Sequence, residues 1–464
     1  MVQKTIFDKY IRLWLLIALP LSLLLTSCDK FLDVQPKGKR LLKTANDYDL
    51  WLSSTTLMQA IPNELNLLED HVDDIYIKLP YSYSDPRVYT WQQQYNDDPA
   101  TAPVIWKDFY EAVYYYNTVL LGIDDALGSD QQKQSLKAEA LLGRAFSYLY
   151  LVNLYGKPYK AATAATDLAV PFVTSNDLND ATPPRSTVKE IYDHILADIN
   201  AAIPDLPKDN SQNRFRGTVA AAYSVLARMY LYMGDYANAA KNAQLALDNG
   251  QSTGQDFSTM PGPSSIAPLA TRPGAIYARL LKTTFTQYTP TLDFLKTFDT
   301  KDQRLAFYYV NLKDYSFQKR GDVVHLGIGT SYSGAYPNCG TTVEEMRLIL
   351  AEAAARANDL STALGQLDLV RKTRFKPADY QPYTSSVQED VLQKVLQERS
   401  FELAYDGMRW FDMRRLDTED RMAAVTRLDG QGNVLATLDP HSDRYTLQIP
   451  LQVMYFNAGW PQNP

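Results

Sequence analysis

Trp91, Tyr95 and Asn96 stand within six residues of one another in the stretch DPRVYTWQQQYNDD. Aromatic rings beside carboxamides are the side chains that hold sugars: the ring covers a C–H face and the amide pairs with hydroxyls. Trp91 is therefore expected as a stacking platform, with Asn96 as its hydrogen-bonding partner. Asp70 and Asp73, upstream in LEDHVDDIY, can accept hydroxyl protons, and Tyr277, Tyr288, Tyr332 and Tyr336 come from a second irregular stretch of the chain. Peptides offer aromatic and amide groups of the same kind, so glycan and peptide ligands both stay open.

Catalytic arrangements find no support. A glycosidase needs two carboxylates about 5 Å or roughly 6.5–9.5 Å apart. The adjacent pairs Asp73-Asp74 and Asp97-Asp98 carry no information about such a separation. His71, His194, His325 and His441 are scattered, with no H-E-x-x-H or C-x-x-C spacing, so neither a metal nor a cofactor is expected. In GIGTSYSG the third glycine, Gly334, falls five residues beyond Gly329, which is wrong for a dinucleotide fingerprint. A non-catalytic binding protein is the expectation.

Lys4, Lys9 and Arg12 precede an apolar run from Leu13 to Leu25, which is shorter than the ~20 residues of a membrane span. The run closes on Leu25-Thr26-Ser27-Cys28, which resembles a bacterial lipobox. Residues 1–27 then read as a signal peptide and Cys28 as an acylated first residue. Several acyl chains on one residue anchor far more firmly than a single myristoyl group. The chain is therefore expected to be exported and tethered to a membrane through Cys28. Residues 28–464 keep 43 Lys and Arg against 52 Asp and Glu, because the leader contains Lys4, Lys9, Arg12 and Asp8. That acidic body is a poor partner for nucleic acid. Cys339 is the one other cysteine, and a buried small residue is the expected reading.

The elements that must position these side chains read as mainly α. Apolar residues recur at three and four from Val104 to Leu127 and again from Gln131 to Tyr155, where Gly156 and Pro158 stop the helix. In Thr218 to Asn249, Tyr230 is followed by Ala239 and Ala246 at offsets of nine and seven. Ala354, Ala363 and Val370 repeat both offsets between Thr342 and Thr373. Those spacings match the later half of a tetratricopeptide repeat. The expected architecture is a tetratricopeptide-like helical scaffold, about 40–249 and 341–464. A looped ligand-binding segment, about 250–340, interrupts it, and a hairpin turns around Gly430 and Gly432.

ERSFELAYDGMRWFDMRR, Glu398 to Arg415, and YTLQIPLQVMYFNAGWPQNP, Tyr445 to Pro464, resemble the SusD/RagB family of surface lipoproteins. SCDKFLDVQPKG, IWKDFYEAVYYYNTVL and GRAFSYLYLVNLYGKPY look like that family too. The resemblance implies an outer-membrane, outward-facing location and a single domain over residues 28–464 that captures oligosaccharides or peptides and closes as a lid over a SusC-like TonB-dependent barrel. It also implies a binding loop near Trp91. Leu451, Val453, Met454 and Ala458 depart from the family pattern in the final segment. Phe401, Tyr405 and Met408 are expected on one helix face, with Glu398, Arg399, Glu402 and Arg409 holding that helix to its neighbours. The alternative is an outer-membrane scaffold that assembles proteins and takes no small ligand.

Overall fold

Gly234 and Asn358 both adopt left-handed backbone, at φ 74° and 59°. Each hands the chain to an aspartate with nearly the same dihedrals: Asp235 has φ −87° and ψ 76°, Asp359 φ −87° and ψ 77°. Each aspartate caps the next helix by accepting from the backbone N–H three residues on, Asn238 and Thr362 respectively. Two turns far apart in sequence are thus built alike, which is the structural form of the matched nine-and-seven spacing.

The computed structural model describes residues 42–73, 84–282, 287–311, 317–326 and 338–464. Cys28, Tyr332 and Tyr336 lie outside the described residues. The helices that matter are α1 (Ala45–Leu52), α2 (Ser84–Tyr89), α3 (Trp106–Gly122), α4 (Asp130–Tyr155), α5 (Val188–Ala202), α6 (Val219–Tyr232) and α7 (Tyr236–Asp248). After the looped stretch come α8 (Val343–Arg356), α9 (Leu360–Arg371), α10 (Gln388–Glu402), α11 (Arg409–Asp417) and α12 (Leu451–Phe456). Neighbours in sequence pack as hairpins, α3 on α4, α6 on α7 and α8 on α9, and α7 then packs on α8. This is the tetratricopeptide-like fold expected.

The core lies along α4. From Leu142 to Tyr155 every residue of this helix is buried, and a helix enclosed on all sides must sit at the centre. Gly143 makes that possible: a Cβ there would lie 2.2 Å from the Tyr116 ring of α3. In the repeats, Ala239, Ala246 and Ala363 have no exposed surface and Val370 has 1%. Small side chains at these positions let the paired helices close on each other.

Strands are short and local. Ala275–Tyr277 pairs antiparallel with Thr341–Thr342, Val323–Leu326 lies between Gln287–Tyr288 and Tyr309–Asn311, and Val425–Leu428 pairs with Val434–Leu438 in the expected hairpin. Cys339 is completely buried.

One expectation needs correcting. Phe401 is on α10, but the helix ends at Glu402, so Tyr405 and Met408 do not continue its face. Tyr405 sits instead in a left-handed turn at φ 62°. Such backbone costs a non-glycine residue about 1 kcal/mol or more. Its ring stacks on Tyr288, with centroids 5.1 Å apart, and its hydroxyl donates to the His71 carbonyl at 3.0 Å. Asn66 completes the turn, donating to the Tyr405 carbonyl at 2.6 Å and accepting from the Gly407 N–H at 2.8 Å. The charged residues of this stretch form buried pairs. Arg304 meets Asp302, Glu398 and Glu402 at 2.7, 2.6 and 3.0 Å, Arg399 meets Asp412 at 2.8 Å, and Arg415 meets Glu352 at 2.5 Å.

Candidate functional site

Arg427, on the first strand of the 425–438 hairpin, is 1% exposed. Its guanidinium donates to the carbonyls of Leu67, Glu69, Val72 and Tyr89, at 2.6–3.0 Å. It also lies 4.4 Å from the ring centroids of both Tyr89 and Trp91. One buried cation thus gathers the chain on either side of residues 74–83. Trp91 follows α2 with a left-handed φ of 51°, and its indole N–H donates to the Leu68 carbonyl at 3.0 Å. With 2% of its surface exposed, Trp91 lies beneath the surface as the anchor of the loop. The expected stacking platform is therefore corrected: Trp91 has no open face to offer a sugar.

Beyond that anchor the chain crosses to the segment 442–464. Gln94 donates to the Gln448 side-chain oxygen at 2.9 Å and accepts from the Leu451 N–H at 3.0 Å. Gln462 reads the same neighbourhood from the other side, accepting from the Ile449 N–H at 2.7 Å and donating to its carbonyl at 2.8 Å. Asn463 donates to the Tyr155 and Leu447 carbonyls, at 2.8 and 2.7 Å, and Arg185 holds the Asn463 side chain at 2.6 Å. These paired amides fix two irregular segments side by side without any sheet.

The seam between them opens into a cleft of about 220 Å³, lined by Trp91, Gln92, Gln93 and Tyr95 on one side and by residues 442–444, 446–448 and Pro464 on the other. Gln93, Tyr95 and Gln448 continue into a smaller recess with Asn96 and Gln452. Gln92 and Gln93 are exposed, and the Gln93 carboxamide makes no hydrogen bond among the described residues. Tyr95 is half-buried, and burial pushes its hydroxyl well above the usual range, so it stays a neutral donor. Asn96 donates to the Ala102 carbonyl at 3.3 Å, within its own loop. The cleft thus offers carboxamides, a phenol and, at one end, the exposed Asp443 and Arg444.

The remaining expected ligands go elsewhere. Asp70 is paired with Arg409 at 2.6 Å and Asp73 with Arg320 at 2.6 Å. Burial opposes the Asp70 charge, but Arg409 outweighs it and holds the carboxyl below its usual range. Tyr277 and Tyr288 are each 2% exposed and belong to the core. All four are structural in this fold. A separate pocket of about 60 Å³ is lined by Arg272, Arg374, Glu344, Glu402, Asp406 and His325. Arg374 there satisfies both Glu344 and Glu402, while burial, reinforced by the Glu402 charge, pushes the Asp406 carboxyl well above its usual range. Gln93, Gln94 and Gln448, which line the recess, were not among the expected residues. The run of three glutamines at 92–94, uncharged but polar beside an aromatic, was the available signal.

Two family models match in succession: a SusD-like one described as starch-binding and associating with the outer membrane, over residues 30–231, and the SusD family itself over residues 344–464. The chain belongs to the SusD/RagB family. A SusD-like protein of Formosa agariphila, P2, is 26% identical over 429 residues, covering 79% of this chain and 81% of its own. A SusD-like protein of Bacteroides ovatus is 24% identical across 48% of this chain and 40% of its own. Among solved structures, a SusD superfamily protein from Bacteroides thetaiotaomicron has a TM-score of 0.71 at 20% identity, covering 91% of this chain and all of that one. A SusD-like carbohydrate-binding protein from Bacteroides vulgatus has 0.67 at 17%, covering 90% and 97%. In SusD/RagB terms, the seam described above lies between the parts of the chain matched by the two models. No helix among the described residues is long and apolar enough to cross a membrane.

Proposed function

We propose that this SusD/RagB protein is a non-catalytic surface lipoprotein, anchored through Cys28, that captures neutral oligosaccharides and delivers them to a SusC-like TonB-dependent barrel. The cleft at the 91–96 and 442–452 seam carries the reading. Its free Gln93 carboxamide and neutral Tyr95 phenol suit paired hydroxyls and a C–H face. The carbohydrate-binding description of a structural neighbour and the starch-binding description of the matching model support the ligand class. Peptides are the second ligand class the same groups could hold.

The test is calorimetric titration of the purified chain with neutral glycans and with peptides, beside Gln93→Ala and Tyr95→Ala. Glycan binding that both substitutions weaken, with melting unchanged, is the expected result. Binding of peptides alone, or glycan binding indifferent to both substitutions, would sink the reading of this cleft. Delivery is tested separately, by co-purification of a barrel protein with the chain from outer membranes.

A further inference from the structure

The twenty residues from Tyr445 to Pro464 contain no Asp, Glu, Lys or Arg, in a chain that is 21% charged. Within them lies α12, LQVMYF, of which no residue is buried. Tyr455 is 68% exposed and Phe456 74%, and both are among the most exposed large apolar side chains described. Their rings stand nearly perpendicular, 87° apart with centroids at 5.3 Å. Val453 and Met454 pack towards the core on the opposite face of the helix, and single exposed apolar residues are ordinary, but here two adjacent rings stand outward together.

The two rings are joined to the cleft by helical geometry. Leu451 and Gln452 line the recess. Tyr455 and Phe456 follow them at i+4, on the same face of the helix and about 6 Å further along its axis. The Gln452 carboxamide, which donates to the Ala100 carbonyl at 3.3 Å, lies at the junction between them. The two rings therefore stand one helical turn beyond the recess that Gln93 and Tyr95 share with Leu451 and Gln452.

We propose that Tyr455 and Phe456 form an aromatic subsite that extends this cleft, so that the protein takes a length of neutral glycan chain and not a single terminal sugar. The proposal rests on the glycan reading above. Two features favour a neutral glycan as the occupant: the absence of charged side chains from Tyr445 to Pro464 and the helix face shared with Leu451 and Gln452, which line the amide-rich recess. Perpendicular rings can cover C–H faces of a chain that bends between successive sugars.

The experiment is titration of the full-length chain in detergent micelles with a neutral gluco-oligosaccharide series from disaccharide to heptasaccharide, beside the double variant Tyr455→Ala, Phe456→Ala and the single variant Tyr95→Ala. Affinity should rise with length in the native chain. The double variant should lose roughly tenfold on the heptasaccharide and nothing on the disaccharide. Tyr95→Ala should weaken both. If the double variant matches the native chain on every length while Tyr95→Ala still weakens binding, the subsite is wrong and the cleft stands. If the double variant loses only a co-purifying membrane protein or adsorption to phosphatidylcholine vesicles, the two rings form a docking surface and the subsite is again overturned. Absence of glycan binding by the native chain would overturn both readings together.

Discussion

The Arg427 guanidinium lies 4.4 Å from the centroid of the Trp91 ring, although the two residues come from opposite ends of the chain. Trp91 keeps its left-handed backbone because this cation, the Leu68 carbonyl and the surrounding core all hold its side chain. The loop that carries Gln93 and Tyr95 is therefore positioned by a residue on a distant hairpin.

Arg427→Ala removes donors from four buried carbonyls at once. The expected loss is about 3–5 kcal/mol in urea denaturation, typical of buried charge-assisted contacts. Arg427→Lys retains the charge but not the fork of donors, and should fall between the native chain and the alanine variant. Glycan affinity should drop in both, because the loop bearing Gln93 and Tyr95 loses its anchor.

Arg304 faces three carboxylates, those of Asp302, Glu398 and Glu402. Arg304→Ala leaves buried Asp302 without its arginine, while Glu402 keeps Arg374 and Glu398 keeps Arg371, and should cost about 3–5 kcal/mol. A midpoint shift below about 1 kcal/mol would show that the carboxylates find protons or water at little cost.

His325 lies between aromatic rings, 4.4 Å from Tyr405 and 4.9 Å from Tyr309, and burial lowers its pKa to about 3. An unfolded histidine titrates near ~6.5. Below that value the unfolded chain binds a proton that the folded chain refuses. The stability is complete above pH ~6.5 and is lost as pH falls towards 3, by at most about 1.4 kcal/mol per unit. His325→Phe should flatten the acid limb of the stability profile by that amount; equal slopes for the two proteins would count against the assignment.

Ala239 and Ala363 occupy matching positions in the two repeats, each with no exposed surface. Ala239→Leu and Ala363→Leu should each cost about 1–3 kcal/mol through overpacking. Cleft substitutions such as Tyr95→Ala, at a half-exposed position, should change stability far less, and paired melting curves distinguish the two classes.

The helical scaffold was legible because it is written in local terms. Offsets of nine and seven, Gly156 after α4 and the small residues at helix contacts all follow from chain geometry. The site was legible only as a neighbourhood. Tryptophan beside tyrosine and amides pointed to a loop that borders a cleft, but nothing local distinguishes a ring that lies open from one covered by Arg427, which comes hundreds of residues later. The same limit misplaced Asp70 and Asp73, whose partners Arg409 and Arg320 are equally remote, and let a helix run on through Tyr405, which long-range contacts with Tyr288, His71 and Asn66 divert into a turn.

Asn463 joins the Tyr155 and Leu447 carbonyls, while Arg427 gathers residues 67–89. The central helix and the loop after Trp91 are therefore completed by partners 308 and 338 residues further along the chain. Contacts of such sequence separation close slowly. A chain with this topology closes its longest contacts last, so on dilution from urea its helices should return before the surroundings of Trp91 are fixed.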